Sequence, residues 1–537
     1  MAVTEDRRYT KAFVYNLLEG VKGKTLGEVD SSHQFKRTET SKKITGIAGD
    51  VIEQSVFGYA RDSDQECDIE IDGVLTELKT TGVRVPKSEL KFVKGKEGKA
   101  YNVHLGAKEG ISITGVTFEP TIQKDFFTSH FWQKSEHLLI VFYEYKSYDV
   151  VPASEYANFP IVDYCYNTFS EEEINKLQSD WEIVRDYLQA IYNKCSSKEE
   201  RYELMQGFTH KLRPQLLLIE LIPSFKKRIS SNGKISYQKP RYRLKSTFVD
   251  YIVRGHFKKS RIDNEVSLKE SFSSFTQLDN RCHVLTLKYK GMSLFQLKEE
   301  LGIKEDVLTK DFASKCILKM FGADCNRLNQ ISDFLKAGII AKTITLTPKG
   351  GRTEDMKLQH IDFAEWADRD IDFEDSEVYN YFCEHSFLCP IFRERGNTKK
   401  NKVSTDELDK KEIERVRNEI GKTTFEGFKR FAFDESFIEK EVKRTWEDSR
   451  NLIHRNELEW EFVLDKQGNK KKNKSGSYQG APNFPKSLNY DVFFRGGAND
   501  SSDKAKTEVV NGIEMLPQYF WLKGSYIVDK LKDISYL

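Results

Sequence analysis

The chain has 537 residues, a length that suggests two to four domains. Hydrophobic residues make up 38% and aromatic residues 12%, enough for sizeable cores, and no apolar run is long enough for a membrane helix. The 85 Lys and Arg residues nearly balance the 83 Asp and Glu residues, so a surface for nucleic acid must come from local patches rather than from net charge.

The compartment is indicated by the N-terminus and the cysteines. The first ten residues, MAVTEDRRYT, lack the apolar core of a signal peptide. The eight cysteines are scattered without paired spacing, which is typical of proteins kept under reducing conditions. We therefore expect a cytoplasmic protein with no membrane association.

The first predicted elements are two helices and a hairpin. Residues 7–20 predict an amphipathic helix, and a second helix starts near Ile44 and carries Glu53. The hairpin that follows turns at Asp72-Gly73, the strongest short-range signal for a two-residue β-turn.

This turn fixes which residues face each other across the hairpin. Asp68 lies opposite Glu77, and directly opposed residues have Cβ atoms about 4.5–5.5 Å apart. Because side chains alternate along a strand, Lys79 shares a face with Glu77. The sequence thus predicts two carboxylates and a lysine on one polar face.

That polar face has a chemical meaning. Two carboxylates at this separation can share Mg²⁺, which prefers oxygen ligands. Lys79 can position or deprotonate a water, or stabilise charge that develops on a phosphate. An Asp, a spacer and Glu-x-Lys on a hairpin are typical of metal-dependent nucleases, and Glu53 is a candidate third carboxylate. Glu-x-Lys alone is also common at solvated strand edges, so the opposed Asp68 is what favours the nuclease interpretation.

Further along the chain, the apolar run over residues 137–143 predicts a buried strand, and residues 174–193 predict a long helix. A polar stretch at residues 269–280 is interpreted as a linker. It separates a first domain at residues 1–268 from a second domain at residues 281–537.

After this linker, short sequence patterns recur in the same order, and such self-similarity indicates duplication. The five matches are Lys290-Gly291-Met292-Ser293-Leu294 with residues 22–26, Phe321-Gly322 with Phe57-Gly58, Gly338-Ile339-Ile340-Ala341 with residues 73–76, Trp446-Glu447 and Arg450 with Trp181-Glu182 and Arg185, and residues 522–527 with residues 244–249. We infer two domains of one fold in a single chain, mimicking a homodimer.

The two copies differ where the chemistry is expected. The alignment replaces Glu53 by Ile317, Glu77 by Lys342 and Lys79 by Ile344. A hairpin with these replacements cannot hold Mg²⁺ between carboxylates. The sequence therefore predicts a catalytic first domain and a binding or regulatory second domain.

These residues resemble those of the mismatch-repair endonuclease MutH, and the two-domain layout resembles the related type II restriction enzymes of the Sau-three-A-I type. In that family a helix Glu, an Asp and Glu-x-Lys form the active site. The resemblance implies a catalytic set here of Glu53, Asp68, Glu77 and Lys79, with Asp68 and Glu77 as metal ligands. The spacer between Asp68 and Glu77 is longer than in MutH, which leaves Glu70 and Asp64 as alternatives to Asp68.

A second region resembles the DNA-reading surface of MutH, with its Leu/Ile-Arg-Pro-Lys turn and its later Pro-Arg and Leu-Lys. This chain has Leu212-Arg213-Pro214-Gln215, then Pro240-Arg241 and Leu244-Lys245. Glutamine pairs bidentately with adenine where lysine prefers guanine. The candidate DNA contacts are Arg213, Gln215, Arg241, Lys245 and, in a glycine-containing segment of the second domain, Arg495.

The resemblance implies an α/β (α+β) fold of the restriction-endonuclease-like type, a mixed sheet flanked by helices, duplicated as two MutH-like domains. It implies a type II restriction enzyme that cuts double-stranded DNA at GATC with Mg²⁺. The second domain is then expected to bind DNA without cutting, as half of a pseudo-dimer or as the sensor of a second site. Two alternatives stay open, a nicking repair endonuclease and a DNA-binding regulator that does not cleave, as does self-association on DNA.

Overall fold

The computed structural model divides the chain into two compact units. Unit 1 contains Met1–Leu278 and Asn329–Gly338, and unit 2 contains Asp279–Leu328 and Ile339–Leu537. The structure describes residues 7–41, 44, 46–60, 66–85, 105–147, 151–205, 207–222, 226–229, 235–257, 266–352, 354–369, 371–396, 410–473, 476–498 and 502–537. Within these ranges, no helix has both the length and the apolar character needed to span a membrane.

The strands vary from two to eleven residues in length. In the first half they are β1 (Arg8–Tyr9), β2 (Ile69–Ile71), β3 (Val74–Arg84), β4 (Gly106–Ala107), β5 (Ile111–Gly115), β6 (Leu138–Glu144), β7 (Ile161–Asn167), β8 (Ile219–Ile222), β9 (Lys226–Ile229), β10 (Ile235–Gln238) and β11 (Arg241–Leu244). In the second half they are β12 (Ile339–Ala341), β13 (Ile344–Leu346), β14 (Met356–His360), β15 (Ser386–Arg393), β16 (Thr424–Ala432), β17 (Trp460–Phe462), β18 (Gly480–Pro482), β19 (Val492–Gly496), β20 (Glu508–Val510), β21 (Ile513–Met515) and β22 (Gln518–Leu522).

The helices follow the same division. In the first half they are α1 (Lys11–Val21), α2 (Ile47–Val51), α3 (Phe118–Gln123), α4 (His130–Gln133), α5 (Glu171–Lys194), α6 (Lys198–Leu204), α7 (Phe208–Leu212) and α8 (Ser246–Phe257). After these come α9 (Phe275–Tyr289), α10 (Leu294–Glu300), α11 (Phe312–Met320), α12 (Ser332–Ala337), α13 (Phe363–Ala367), α14 (Glu377–Glu384), α15 (Lys410–Gly421), α16 (Glu435–Phe437), α17 (Lys443–His454) and α18 (Gly524–Lys532). Short 3₁₀ turns span Gln34–Glu39, Ala153–Asn158, Arg213–Gln215, Leu328–Gln330, Phe373–Asp375 and Asp503–Ala505, and π-helical turns span Ile52–Val56 and Ile438–Val442.

Unit 1 is built on two main sheets, with β9 and β10 forming a further two-stranded sheet. The larger has the order β1-β2-β3-β6-β7, with β4 paired to β3, and the smaller has the order β5-β11-β8. Strands β3 and β6 run parallel, whereas β2 with β3 and β6 with β7 run antiparallel, so the sheet is mixed. Strand β6 is a continuous apolar run and is buried along nearly its whole length, which confirms the predicted buried strand.

Unit 2 repeats this arrangement. Strands β12 and β13 pair parallel with β15, and β15 pairs antiparallel with β16, as β3, β6 and β7 do in unit 1. The smaller sheet has the order β14-β22-β19, all antiparallel, like β5-β11-β8. The antiparallel pair carries an irregularity at Phe142/Tyr143 in unit 1 and at Ile391/Phe392 in unit 2. Mixed sheets flanked by helices confirm the predicted α/β fold of the restriction-endonuclease-like type.

Details outside the sheets also support the predicted duplication. Gly23 and Gly291 both have positive φ, and the N–H group of each donates a 2.7 Å hydrogen bond to a carbonyl oxygen of the corresponding strand. The acceptor is Ile161 of β7 in unit 1 and Phe425 of β16 in unit 2. In both units the arginine that follows the Trp-Glu pair lies over the tryptophan ring. The distances to the ring centroid are 5.4 Å for Arg185 over Trp181 and 4.2 Å for Arg450 over Trp446.

The shared irregularity corrects the alignment of the two copies. The irregularity aligns Tyr143 with Phe392. Gly82 pairs with Tyr143 and Thr345 pairs with Phe392 across the parallel strands, so Gly82 aligns with Thr345. Counting back from this pair places Ile340 at the position of Glu77 and Lys342 at the position of Lys79. The sequence alignment placed Lys342 and Ile344 there, two residues too far along.

The physical reason for this error is a helix where a hairpin strand was expected. Residues before Gly338 form α12, and Gly338 ends that helix in the left-handed conformation at φ 65°. In unit 1 the corresponding glycine, Gly73, lies in the hairpin turn. A glycine at positive φ serves both purposes, so the sequence pattern did not distinguish them.

The predicted linker at residues 269–280 is structured. Phe272 is 3% exposed, and α9 begins at Phe275. Residues 329–338, although distant in sequence, belong to unit 1, where the fully buried ammonium group of Lys176 donates to Asp333 at 3.0 Å and to Ser271 at 2.8 Å.

Candidate active site

The predicted hairpin is present with the predicted register. Ile71 pairs with Val74, Glu70 with Leu75 and Ile69 with Thr76. Asp72 and Gly73 both have positive φ, at 48° and 82°, which is the requirement of a type I′ turn. The side chains of Ile69, Ile71 and Leu78 are buried in the core of unit 1, which anchors one face of the hairpin and leaves the other for polar residues.

Asp68, Glu77 and Lys79 come together on that second face. One further step of the register places Asp68 opposite Glu77. The Lys79 ammonium nitrogen lies 2.6 Å from Glu77 Oε1 and 4.0 Å from Asp68 Oδ2, so both carboxylates are on one side of the sheet. Asp68 Oδ2 also accepts a 2.9 Å hydrogen bond from the backbone N–H of Leu78, which fixes its orientation.

Glu53 reaches the same cluster from the helix that precedes the hairpin. It lies in the π-helical turn Ile52–Val56 that continues α2, and such turns are frequent at functional sites. Burial and the negative charges of Asp68, Asp50 and Glu77 raise the pKa of Glu53 to about 7, against the opposing effect of Lys79. Burial also raises the pKa of Asp68. Three acids therefore share one partly buried space.

Lys134 is a member of the cluster that the sequence did not predict. Its ammonium group lies 3.0 Å from Glu77 Oε2 and 3.2 Å from Oε1, and the residue is only 8% exposed. It follows α4, in a segment distinguished in the sequence only by its phenylalanines. Lys79 and Lys134 together neutralise Glu77, whose 2% exposure demands such partners.

The alternatives to Asp68 differ in their surroundings. Glu70 lies one pleat away and forms an ion pair with Arg8 at 3.5 Å. Asp64 lies outside the described residues. The structure brings Asp68, and not Glu70, to Lys79.

The donor set suits a hard divalent cation, although no complete protein cage is present. Among the described residues, no group of three or more His, Cys, Asp or Glu side chains is arranged to hold a metal ion. Mg²⁺ usually takes only one or two carboxylates and completes its shell with water and substrate phosphate. Burial and, to a lesser extent, the neighbouring acids raise the pKa values of Glu53 and Asp68, and a cation bound there would offset both effects.

The predicted DNA contacts of unit 1 fall into two groups. Arg213 and Gln215 form a 3₁₀ turn after α7, where Gln215 is exposed and donates to the Lys211 carbonyl oxygen at 2.9 Å. Arg241 is exposed at the start of β11, the central strand of the small sheet. These three side chains reach the surface of unit 1.

Lys245 requires a correction. It is 2% exposed, and its ammonium group donates to the Leu216 carbonyl oxygen at 2.6 Å. It also interacts electrostatically with the buried Asp180. Because it is enclosed by the chain, we no longer expect it to contact DNA, and we assign it a structural role beneath the Arg213–Gln215 turn.

Arg495 lies at the surface of unit 2. Its guanidinium group forms an ion pair with Asp355 at 2.7 Å and lies 4.8 Å from the centroid of the Trp521 ring. The side chain is exposed at the end of β19. It therefore keeps a surface position from which a ligand can be contacted, but with an acid already bound to it.

A mixed sheet flanked by helices, with Asp, Glu and Lys clustered on a hairpin and a helix Glu beside them, defines a nuclease of the restriction-endonuclease-like fold. Comparison with known proteins supports this class. Residues 57–180, which include Asp68, Glu77, Lys79 and Lys134, match the family model described as DNA mismatch repair enzyme MutH.

A full-length relative extends the comparison to both units. The chain is 24% identical over 558 residues to the type II restriction enzyme Sau3AI of Staphylococcus aureus, covering 98% of this chain and 99% of that protein. These findings confirm the predicted resemblance to MutH and to restriction enzymes of this type. The chain is a deoxyribonuclease, an endonuclease of the restriction or nicking type.

Proposed function

We propose that this protein is a type II restriction endonuclease in which unit 1 cuts both strands of DNA and unit 2 binds DNA without cutting. The observation that carries this proposal is the position of Lys79, within 2.6 Å of Glu77 and 4.0 Å of Asp68 on one face of the hairpin. In the second copy, Ile340 stands in place of Glu77, and helix α12, which belongs to unit 1, stands in place of β2. The same ladder there therefore lacks both acids.

The residues of unit 1 have separate roles in phosphodiester hydrolysis. Asp68 and Glu77 would hold Mg²⁺, with Glu53 as an additional carboxylate beside them. The cation, when bound, supplies positive charge to the phosphate oxygens and acidifies a coordinated water. Hydrolysis adds the water oxygen to phosphorus and breaks one P–O ester bond.

The lysines act on charge and orientation. Lys79 places a positive charge 2.6 Å from Glu77, on the face where the phosphate is expected, and can stabilise the negative charge that develops there. The Lys134 ammonium group donates hydrogen bonds to both carboxylate oxygens of Glu77 and so fixes the orientation of this carboxylate. Preorganised charge of this kind needs no rearrangement during the reaction.

The expected target is GATC in double-stranded DNA. This assignment rests on the resemblance to the MutH-related enzymes and on the half-buried Arg213 with the exposed Gln215 and Arg241, residue types that contact phosphates and base edges. Arg495 is the corresponding candidate in unit 2. A second unit that binds DNA could complete the reading of one site or engage another.

A nicking repair endonuclease is the second candidate, favoured by the MutH match over residues 57–180. That match covers part of unit 1 only, whereas the similarity to a type II restriction enzyme extends over 98% of the chain. A nicking enzyme has no need of a second copy of its own fold. We therefore favour cleavage of both strands by the chain alone.

The test is a digest of a defined unmethylated plasmid by the purified full-length chain with Mg²⁺, followed by sequencing of the ends. We expect linear products with ends at GATC, and intact plasmid with EDTA or with the Glu77→Gln variant. Open-circular product alone would establish nicking. Specific binding to duplex DNA without cleavage under any divalent cation would establish a regulator, and either result would overturn the proposal.

A further inference from the structure

Unit 2 keeps a cluster of cations where unit 1 has its active site. Lys342 occupies the ladder position of Lys79 and follows β12, where its backbone N–H donates to Leu388 at 2.9 Å. Lys357 lies on β14, with its ammonium nitrogen 3.3 Å from the centroid of the Tyr519 ring. Arg352 lies in the turn between β13 and β14. At the ladder position of Glu77 stands an apolar residue, Ile340.

Two of these cations, Lys342 and Arg352, are poorly compensated within the described part of the chain. The Lys342 ammonium group is partly buried and makes no hydrogen bond or ion pair with any described residue. The Nη1 atom of Arg352 is inaccessible to solvent and has no hydrogen-bond partner in the described part of the chain. Buried polar groups are normally satisfied, and each exception requires an explanation.

Nearby acids do not supply the missing partners. Arg352 Nε donates to the backbone carbonyl of Glu354 at 2.5 Å, while the Glu354 residue itself is exposed. Asp355 already accepts from Arg495 at 2.7 Å and from the backbone N–H of Gly524 at 2.9 Å.

The electrostatics agree with an unbalanced positive site. Burial and the neighbouring charges of Lys357 and Arg352 lower the pKa of Lys342. Burial likewise lowers the pKa of Arg352, although Glu354 and Asp355 oppose this effect. A bound anion would relieve both, because it restores the partner that the positive charges lack.

We propose that Lys342, Arg352 and Lys357 form a phosphate-binding site of unit 2 that takes a backbone phosphate of double-stranded DNA. The site keeps a lysine at the ladder position of Lys79, and the apolar Ile340 stands where unit 1 has Glu77. It therefore binds the phosphodiester through fixed cations alone, with no metal and no hydrolysis. The inference rests on the proposed function, because it takes duplex DNA to be the ligand of unit 2.

The test measures DNA binding by the full-length chain carrying Glu77→Gln, which prevents cleavage. Affinity for a fluorescent duplex containing GATC is followed by anisotropy over a series of KCl concentrations. Replacing one phosphate-contacting cation reduces the slope of log affinity against log salt by about one. We expect this reduction, and about tenfold weaker binding at about 0.1 M salt, for Lys342→Met and for Arg352→Met.

Matched controls separate a phosphate contact from general charge. Lys349→Met removes an exposed lysine from the same turn and should change the affinity less than twofold. Lys342→Arg keeps the charge and should restore the slope. Circular dichroism establishes that each variant is folded, and if Lys342→Met fails to fold, Arg352→Lys and Arg352→Met give the same comparison.

The outcomes distinguish this inference from the proposed function. In one outcome, the wild-type chain cuts GATC plasmid, but Lys342→Met and Arg352→Met, each in the Glu77→Gln chain, bind DNA like Lys349→Met. The proposed phosphate-binding site is then wrong, and the nuclease assignment stands. If the slopes change as expected but no cleavage occurs, the nuclease assignment fails alone. If inorganic phosphate raises the melting temperature of the Glu77→Gln chain but not of its Lys342→Met derivative, and DNA binding is unaffected, the site takes a free anion and the proposal for DNA is overturned.

Discussion

At the scale of single residues, the decisive contacts converge on Glu77. Lys79 and Lys134 approach its carboxylate at 2.6 and 3.0 Å, and the residue is 2% exposed. Asp68 faces it across the hairpin. A buried carboxylate that two cations hold in this way is a preorganised group.

Removal of the Glu77 charge should slow cleavage strongly while leaving the fold intact. We expect Glu77→Gln to lower the rate of DNA cleavage about 10²–10³-fold, the usual cost of losing one preorganised charge-stabilising group. Glu70→Gln is the matched control, since Glu70 lies on the same hairpin but pairs with Arg8. Single-turnover cleavage rates measure both. Comparable losses in the two variants would show that the hairpin matters only as a scaffold.

Glu53 should make the metal-free protein less stable as the pH rises. The pKa of Glu53 is raised from 4.5 to about 7 in the folded state, so the folded protein binds this proton more tightly than the unfolded chain does. The resulting contribution to the free energy of unfolding is fully present below pH 4.5 and is lost as the pH rises through about 7. Urea unfolding in EDTA from pH 4.5 to 8 measures the effect. Glu53→Gln should flatten the pH dependence relative to the wild type, and the exposed control Glu39→Gln should leave it unchanged.

Residue-level prediction succeeded where the signal was local. Asp72-Gly73 fixed the hairpin register, and from it the facing of Asp68 and Glu77, because the turn type leaves only one pairing. Lys134 is 57 residues from Glu77 and has no spacing motif, so only the packing of α4 against the sheet reveals it. Lys245 looked like a surface cation because burial of a lysine leaves no mark in the sequence.

At the scale of elements, the support of the Arg213–Gln215 turn comes from helix α5. The carboxylate of Asp180 on this helix is fully buried and accepts hydrogen bonds from the backbone N–H groups of Leu217, Leu218 and Ile219, at 2.7, 2.7 and 2.9 Å. The carboxylate thereby provides hydrogen-bond acceptors for the backbone N–H groups from the end of the turn to the start of β8. A buried side chain of α5 thus holds the segment that follows the proposed DNA-reading turn in position.

Loss of this support should destabilise unit 1. Asp180→Ala leaves three buried N–H donors without an acceptor, and we expect the free energy of unfolding to fall by about 3 kcal/mol. Asp186→Ala, on the same helix but exposed, should cost less than about 0.5 kcal/mol. Urea denaturation measures both variants. Equal effects would mean that the buried carboxylate does not organise this segment.

The order of elements was more predictable than their alignment between the copies. The sheets, the Gly23 and Gly291 turns and the Trp–Arg pairs repeat as the sequence patterns indicated. The region around Gly338 was misaligned by two residues because glycine at positive φ ends a helix as readily as it makes a hairpin turn. Only the hydrogen-bonded ladder distinguishes the two.

At the scale of the whole molecule, the chain is not divided at a single point. Residues 329–338 belong to unit 1, where Asp333, 1% exposed, pairs with Lys176, which is wholly buried. Sequence patterns cannot show such an exchange, because it depends on long-range packing. The predicted boundary at residues 269–280 therefore omits a part of unit 1.

Residues 329–338 should be necessary for the stability of unit 1. Asp333→Ala removes the buried partner of Lys176, and we expect the free energy of unfolding to fall by about 3 kcal/mol, since a buried charge is left without full compensation. Asp324→Ala is the control, as Asp324 is 95% exposed. A fragment that ends at residue 268 should be less stable than unit 1 in the full chain. Wild-type stability of Asp333→Ala would contradict this arrangement.

Asp68 and Glu77 are proposed to share a divalent cation in unit 1. The most direct measurement is anomalous diffraction from crystals of the full-length chain grown with Mn²⁺ and duplex DNA containing GATC. We predict an anomalous peak bonded to carboxylate oxygens of both residues in unit 1 and none at Lys342 in unit 2. Ordered DNA on unit 1 with no Mn²⁺ peak between Asp68 and Glu77 would contradict the account.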